Sequence, residues 1–369
     1  MYVTVLPTRP PLFRPGGSPA SQDDADRMRY YRYGRDALFV GLEMLGLGPD
    51  CEVLLPASLC EVVLLAFMKR GIRLRYYGLN AGFEPSVDEL ESRLGPRTRA
   101  IYVNHFLGRP TEMRAVRALC DRRGIALIED CAHAYGATSD GGPVGTVGDI
   151  AIFSYRKFLP IADGGGLRVN SIELPLPEAL PVRTGTAGWA GAKAAIAWAG
   201  GIGLLPLATI QRWRGTVESY LDPQDNLDAG GWIPPAGISA ESQVAIRAAD
   251  MQEVTANRRD NYRLWTQVIA GIKGPRPVFP DLADGQSPFC FPILVEQRDD
   301  FVRAMSRHGF YLEPTVAPPY RRIETLENPT EPFPEMQTVA DHLVSLPVHQ
   351  SLTGRQRDRL AGAISAFFR

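Results

Sequence analysis

Strand-like and helix-like segments alternate through residues 30–130, joined by short glycine and proline turns, and this alternation restricts the fold more than any other feature. Glu52–Leu55, Leu74–Tyr77, Ala100–Val103 and Ala126–Glu129 are apolar runs of strand length. Between them Glu61–Arg70, Val87–Leu94 and Thr111–Arg123 carry helical spacing and are closed by Gly71, Gly95-Pro96 and Gly124. Tyr30–Leu47 reads as a first helix, with Leu38, Phe39, Leu42 and Leu45 on one face. Strand, helix and strand joined this closely form βαβ units, whose strands assemble into a mainly parallel α/β sheet. Ligands of such sheets collect beyond the carboxyl ends of the strands.

After Asn170 the pattern changes. Pro175, Pro177 and Pro181 fall in a loop, and Ala187–Ile210 is strongly apolar with Lys193 as its one charge. Ser239 to about Ile269 predicts one long helix with Ser239 as its N-cap. Phe289–Val295 and Leu343–Leu346 read as strands, Arg298–His308 and Thr353–Phe368 as helices. The expected organisation is a large domain over residues 1–237, with a short N-terminal arm and an apolar insertion at 183–213, followed by a smaller α+β domain over 238–369.

The 369 residues, 45% of them apolar, suffice for two cores. A formal net charge of −1 gives no support for a nucleic-acid partner. Five scattered cysteines without a CxxC pair read as free thiols in a reducing cytoplasm. The start, MYVTVLPTRPPLFRPGG, has no apolar signal core and reads as an arm.

Chemistry concentrates in Ile125–Gly166, IALIEDCAHAYGATSDGGPVGTVGDIAIFSYRKFLPIADGGG. One apolar run leads into Asp130. A second, Ile150–Phe153, leads into Ser154 and then Lys157, before the glycines 164–166. That order suits pyridoxal 5'-phosphate (PLP). A carboxylate keeps the pyridine nitrogen protonated, a lysine amine forms an imine, and a hydroxyl helps hold the phosphate. Taken singly, Asp130 reads equally well as a strand-end carboxylate capping a turn, and Lys157 as a surface charge. His133 stands three residues after Asp130 and reads either as a partner of the ring's phenolic oxygen or as a structural histidine. Tyr33-Gly34-Arg35-Asp36-Ala37 lies where a turn meets a helix. Free amides there attract anions, and Arg35 can add a charge-assisted contact. No GxSxG, HExxH or GxxxxGK[ST] pattern occurs.

These motifs, with NHFLGRPTEMRAV, GTVGDIAIFSYRK, FPILVEQRDDF and SLPVHQSLT, make the chain from about Tyr30 onward resemble the DegT/DnrJ/EryC1/StrS aminotransferases. The resemblance implies PLP fold type I, a homodimer, and amino transfer from glutamate or glutamine to a keto acceptor, mostly a nucleotide-linked keto sugar. Lys157 then matches the lysine that carries PLP as an internal aldimine, and Asp130 the pyridine-nitrogen partner. His133 matches a position near the ring hydroxyl, and Ser154 the phosphate serine. Gly34, Arg35 and Asp36 match the phosphate-binding start of the first helix. Cys60 falls where many members stack an aromatic on the ring, which leaves Ala132 or another residue to cover it.

The chain departs from that pattern in several places. Only Tyr155 and Arg156 separate Ser154 from Lys157, where the family usually has three residues. Arg35 replaces a threonine. The GYNxR-like segment that sends an asparagine to the neighbouring subunit's phosphate is replaced by GGWIPPAGIS, and Arg35 is the candidate substitute. Ala187–Ile210 reads either as a dimer-interface hairpin or as a membrane-facing element for a lipid-linked acceptor. The alternatives to an aminotransferase are another PLP enzyme acting on a non-sugar or lipid-linked substrate and a non-catalytic regulatory relative. No metal is expected.

Overall fold

The computed structural model describes residues 3–4, 7, 25–80, 82–139, 141–184, 234–312 and 333–369. The apolar stretch Ala187–Ile210 and the first residues of GGWIPPAGIS lie outside them. Among the described residues no helix is long and apolar enough to cross a membrane.

In chain order the first half contains β1 (Val3–Thr4), β2 (Met28–Tyr31), α1 (Gly34–Met44), β3 (Glu52–Pro56), α2 (Leu64–Lys69), β4 (Arg73–Tyr77), α3 (Val87–Arg93), β5 (Thr98–Asn104), α4 (Arg114–Arg123), β6 (Ala126–Asp130), a short hairpin β7 (Thr138–Ser139) and β8 (Gly142–Pro143), β9 (Ile150–Ser154) and β10 (Gly165–Val169). Seven strands form one sheet in the order β2-β10-β9-β6-β5-β3-β4. From β9 through β6, β5 and β3 to β4 every pairing is parallel, and β10 is antiparallel to both β9 and β2. All five residues of β9 are buried, as a central strand covered on both faces requires. The helices end where the sequence changes character. Gly124 closes α4 in the left-handed conformation, and Ser86 opens α3 by accepting the Glu89 N–H at 3.3 Å.

The first predicted helix starts later than its spacing suggested. Tyr30 and Tyr31 belong to β2, paired with Gly166 and Gly165, and α1 begins only at Gly34. Aromatic residues suit a pleated surface, and the free edge of β10 supplies a partner that local helical spacing cannot reveal. The long helix expected from Ser239 is two helices, Ala240–Ala248 and Met251–Ala270. Ser239 does cap the first, accepting the Ser242 N–H. Ala249 turns extended, and the Asp250 carboxylate caps the second by accepting the Gln252 and Glu253 N–H groups, both at 3.0 Å.

Beyond these helices β11 (Arg276–Pro277), β12 (Cys290–Leu294) and β14 (Leu343–Pro347) form an antiparallel sheet. Its core gathers Trp265, Phe291, Phe301, Met305, Leu346 and Ile364, separate from the core around the large sheet. The arm strand β1 pairs in parallel with β13 (Phe310–Tyr311), so the start of the chain is anchored on this second unit.

Candidate active site

β6 and β9 are neighbouring parallel strands with Asp130 opposite Ile152, which brings Asp130 and Ser154, the last residue of each strand, to the same edge of the sheet. The chain leaves β9 through a 3-10 turn, Tyr155–Lys157. Ser154 is the extended N-cap residue of this turn and Lys157 its last residue, so the two stand three positions apart across it.

The carboxylates Glu129 and Asp130 close β6 and face different surroundings. Glu129 is enclosed. Its Oε1 accepts from His105 Nε2 at 2.9 Å and from Gly145 N at 2.5 Å, and its Oε2 from Val147 N and Gly148 N at 3.0 and 2.9 Å. Thr111 N–H donates to His105 Nδ1, so the His105 proton sits on Nε2 and points at Glu129. Burial works to raise the Glu129 carboxyl, but His105 and the Gly148 and Gly145 amides hold it below the usual range. Glu129, His105 and Cys131 lie close enough to suggest a metal cluster, yet the hydrogen bonds already made by Glu129 and His105 account for them as structure. Asp130 carries fewer bonds. Its Oδ1 accepts from Ala132 N at 2.8 Å and its Oδ2 from the Tyr102 hydroxyl at 2.5 Å. Each carboxylate oxygen can accept twice, so Asp130 keeps acceptor capacity at the sheet edge.

Lys157 is partly buried and its amine lies 5.7 Å from the centroid of the Phe289 ring. Burial, reinforced by Arg156, pushes its amine below the ordinary lysine value against the opposing pull of Cys60 and Asp130. That favours the neutral, nucleophilic amine. His133 stacks on the other sequence-distant member of this group, Phe289, at 4.6 Å and 8°. Burial and then Lys157 push His133 well below its usual value, so it is a neutral imidazole. The backbone of the lysine turn is clamped from the second unit. Arg258, fully buried, donates to the Lys157 carbonyl at 3.0 Å and to the Pro288 carbonyl at 3.1 Å, with its guanidinium 4.3 Å from the Phe158 ring centroid.

The start of α1 completes the group. A side chain at Gly34 would meet the Phe153 carbonyl at 3.2 Å and Ser154 Cβ at 3.7 Å, so this helix end lies directly against the end of β9. A side chain at Gly165 would meet the Tyr33 carbonyl at 2.2 Å, and so the glycine cluster on β10 admits the chain entering α1. The N-cap residue Tyr33 contributes no side-chain cap, and a helix start leaves amides without intrahelical partners. Three guanidinium groups surround the Tyr33 ring, those of Arg32, Arg35 and Arg156 at 5.1, 4.8 and 5.2 Å from its centroid. Asp36, also buried, faces Arg32 Nε at 3.5 Å. Burial raises its carboxyl to about 6, only partly offset by Arg32 and Arg35.

The structure thus brings Asp130, Ala132, His133, Ser154, Lys157, Gly34, Arg35 and Asp36 into one region. Cys60, just before α2, is close enough to act electrostatically on both Lys157 and Tyr102. Tyr102, Phe289 and Arg258 were not singled out from the sequence. Tyr102 looks like one more apolar residue of β5 and Phe289 like one more of the apolar run that leads into β12, while Arg258 sits in a helix rich in charge; only the long-range packing reveals them.

The end of β6, the turn after β9 and the start of α1 thus gather an acid, a serine and a lysine of lowered amine value beside three guanidinium groups. The chain belongs to the DegT/DnrJ/EryC1/StrS aminotransferase family, which it matches over residues 32–175 and 241–365. It is 37% identical over 144 residues to the dTDP-3-amino-3,4,6-trideoxy-alpha-D-glucose transaminase of Micromonospora megalomicea subsp. nigra, covering 38% of each chain. It is 42% identical over 87 residues to the L-glutamine:2-deoxy-scyllo-inosose aminotransferase of Streptoalloteichus tenebrarius, covering 23% of this chain and 20% of that one. The chain spans about two fifths of the length of the first curated relatives it matches. Among solved structures, the aminotransferase TlmJ from Streptoalloteichus hindustanus aligns over 93% of this chain and 86% of its own, with a TM-score of 0.67 and 23% identity. DesV from S. venezuelae, crystallised with a ketimine intermediate, aligns over 93% and 85% with a TM-score of 0.66 and 22% identity. The fold is therefore that of PLP-dependent transferases of fold type I, a mainly parallel sheet flanked by helices and followed by the smaller C-terminal unit.

Proposed function

We propose that this protein is a PLP-dependent aminotransferase that carries an amino group from glutamate or glutamine to a keto acceptor, a nucleotide-linked keto sugar. The observation that carries this reading is the meeting of Lys157, Asp130 and Ser154 at two neighbouring strand ends, with the start of α1 against Ser154. The residues fit the cofactor. Lys157 would hold it covalently, Asp130 would accept from its pyridine nitrogen, and neutral His133 would face its ring hydroxyl. Ala132 and Cys60 would flank the ring, and Ser154, Gly34, Arg35 and Asp36 would line the phosphate. The net positive charge at Tyr33 supports that last assignment.

When bound, PLP supplies the electron sink that makes the α-hydrogen of an amino acid acidic. The protein holds that sink in place through Asp130 and moves the proton with Lys157 Nζ, whose depressed affinity lets it take a proton and return it. A lysine at this position is what amino transfer requires. The two-domain division near residue 237, a homodimer and a cytoplasmic site of action belong to the same reading; the five free thiols support a reducing compartment.

Purified protein given PLP is expected to be yellow, to bleach on addition of glutamate or glutamine, and to recover when a nucleotide-linked keto sugar is supplied. Lys157→Ala should abolish the visible band near neutral pH. A Lys157→Ala spectrum indistinguishable from the parent's would overturn the assignment. Colour that no amino donor bleaches would favour a different PLP reaction.

A further inference from the structure

The least expected contact at the site is the one beneath Asp130. Tyr102 lies in the middle of β5, fully buried, and its hydroxyl donates to Asp130 Oδ2 at 2.5 Å. Its ring rests edge-on against Phe67 at 5.8 Å, and the Tyr77 hydroxyl donates to its carbonyl at 3.0 Å, so ring and backbone are both fixed. Burial, then Asp130, push the phenol well above its ordinary value, which keeps it a neutral donor. With Ala132 N on Oδ1 and Tyr102 on Oδ2, the carboxylate is held at both oxygens and cannot rotate without losing one bond. A phenol has no other role here, because phenylalanine would fill the same apolar volume at less desolvation cost.

We propose that Tyr102 is a positioning residue that aims the Asp130 carboxylate at the cofactor's ring nitrogen and shares its negative charge. This rests on the PLP reading above. The titratable groups facing Asp130 and Tyr102 are Lys157, Cys60 and Cys131. Glu129, although adjacent in sequence, spends its oxygens on His105 and the residue 145–148 turn. The Tyr102–Asp130 hydrogen bond is thus a side-chain link from β5 to the predicted nitrogen site, beside the backbone pairing of Asn104 with Asp130. A hydrogen bond to a carboxylate is stronger than one between neutral partners, and its direct effect on the cofactor's ring passes through the ring nitrogen, whereas the pull of Asp130 on Lys157 is common to any ring.

That dependence defines the test. Parent and Tyr102→Phe are compared for binding of PLP and of an analogue in which the ring nitrogen is replaced by CH, each followed by the visible band of the lysine-bound form. Tyr102→Phe is expected to weaken PLP several-fold more than it weakens the analogue. Equal weakening of both would mean that Tyr102 acts only on the fold and would overturn the proposal, as would no weakening of either. Should the phenylalanine variant not fold, 3-fluorotyrosine at position 102 keeps the shape and strengthens the donor. It would draw charge from Asp130, loosen its hold on the ring proton, and raise the pH midpoint of the visible band with PLP but not with the analogue. An unmoved midpoint overturns the proposal. Parent protein that forms no visible band at all would instead refute the PLP reading itself.

Discussion

Glu129 and Asp130 are the same kind of group, one residue apart on one strand, and the fold uses them in opposite ways. Glu129 receives His105 and the amides of Gly145, Val147 and Gly148, which tie the turn before β9 to the end of β6. Asp130 receives Ala132 and Tyr102 and keeps acceptor capacity toward the sheet edge. Adjacent residues of a strand point to opposite faces, so the first faces protein donors and the second faces the region of Lys157. A buried carboxylate whose acceptors are filled is structure. One that is aimed, but not filled, is open to a further donor.

The largest effect should come from exchanging the two charges for amides. Glu129→Gln keeps one carbonyl oxygen but turns an NH2 toward either His105 and Gly145 or Val147 and Gly148, and leaving two buried donors unpaired costs about 2–6 kcal/mol. Asp130→Asn can still accept from Ala132 through its carbonyl oxygen and donate its amide to the Tyr102 hydroxyl oxygen, since a phenol also accepts, so the apoprotein should lose only about 1 kcal/mol, whereas amino transfer should fall roughly 10²–10³-fold, as for other buried electrostatic groups. Denaturant unfolding of apoprotein and single-turnover bleaching by glutamate measure the two sides. Equal destabilisation by both variants would erase the contrast.

That contrast also shows what the sequence makes legible. The alternating elements and the Asp130–Ser154–Lys157 order can be read directly, because each depends on local spacing and on the rule that sites gather at strand ends. The alternative reading of Asp130 as a carboxylate capping the following turn has its bond too, since Oδ1 accepts from Ala132 N at 2.8 Å, while Glu129 binds the separate turn at residues 145–148. Nothing in IEDC decides between them. The answer lies in His105 and in residues 145–148, between 16 and 24 positions away from Glu129. Tyr102, Phe289 and Arg258 were hidden for the same reason. The start of α1 was misplaced because β2 is set by pairing with Gly165 and Gly166, more than a hundred residues on.

The same distinction extends to the cations. Arg258 is consumed by carbonyls of the lysine turn and of the segment before β12, while Arg35 lies by Tyr33 at the start of α1. If Arg35 stands in for the missing cross-subunit asparagine, Arg35→Ala should raise the PLP dissociation constant about tenfold, the worth of one charge-assisted hydrogen bond. Fluorescence titration of apoprotein with PLP reads this directly. Binding as tight as the parent's would return Arg35 to the structural group with Arg258.

Asp36 sharpens the comparison because its shift has the opposite sign to that of Glu129. Burial raises Asp36 from 3.8 to about 6, so the folded state favours its neutral form, whereas donors outweigh burial at Glu129 and lower it. Linkage then gives opposite pH dependences. The Asp36 contribution to stability is complete below pH 3.8 and is lost as pH rises through about 6; the Glu129 contribution is complete above the ordinary glutamate value and is lost as pH falls. Asp36→Asn fixes the neutral form. The stability of the apoprotein relative to this variant should therefore decline by on the order of 2 kcal/mol between pH 4 and pH 7, while relative to Glu129→Gln it should rise toward neutral pH. Unfolding curves at several pH values separate the two slopes. Parallel slopes would mean that both carboxylates meet the same kind of surroundings, and the division between filled and aimed acceptors would fail at the end of the site where an anion is expected to bind.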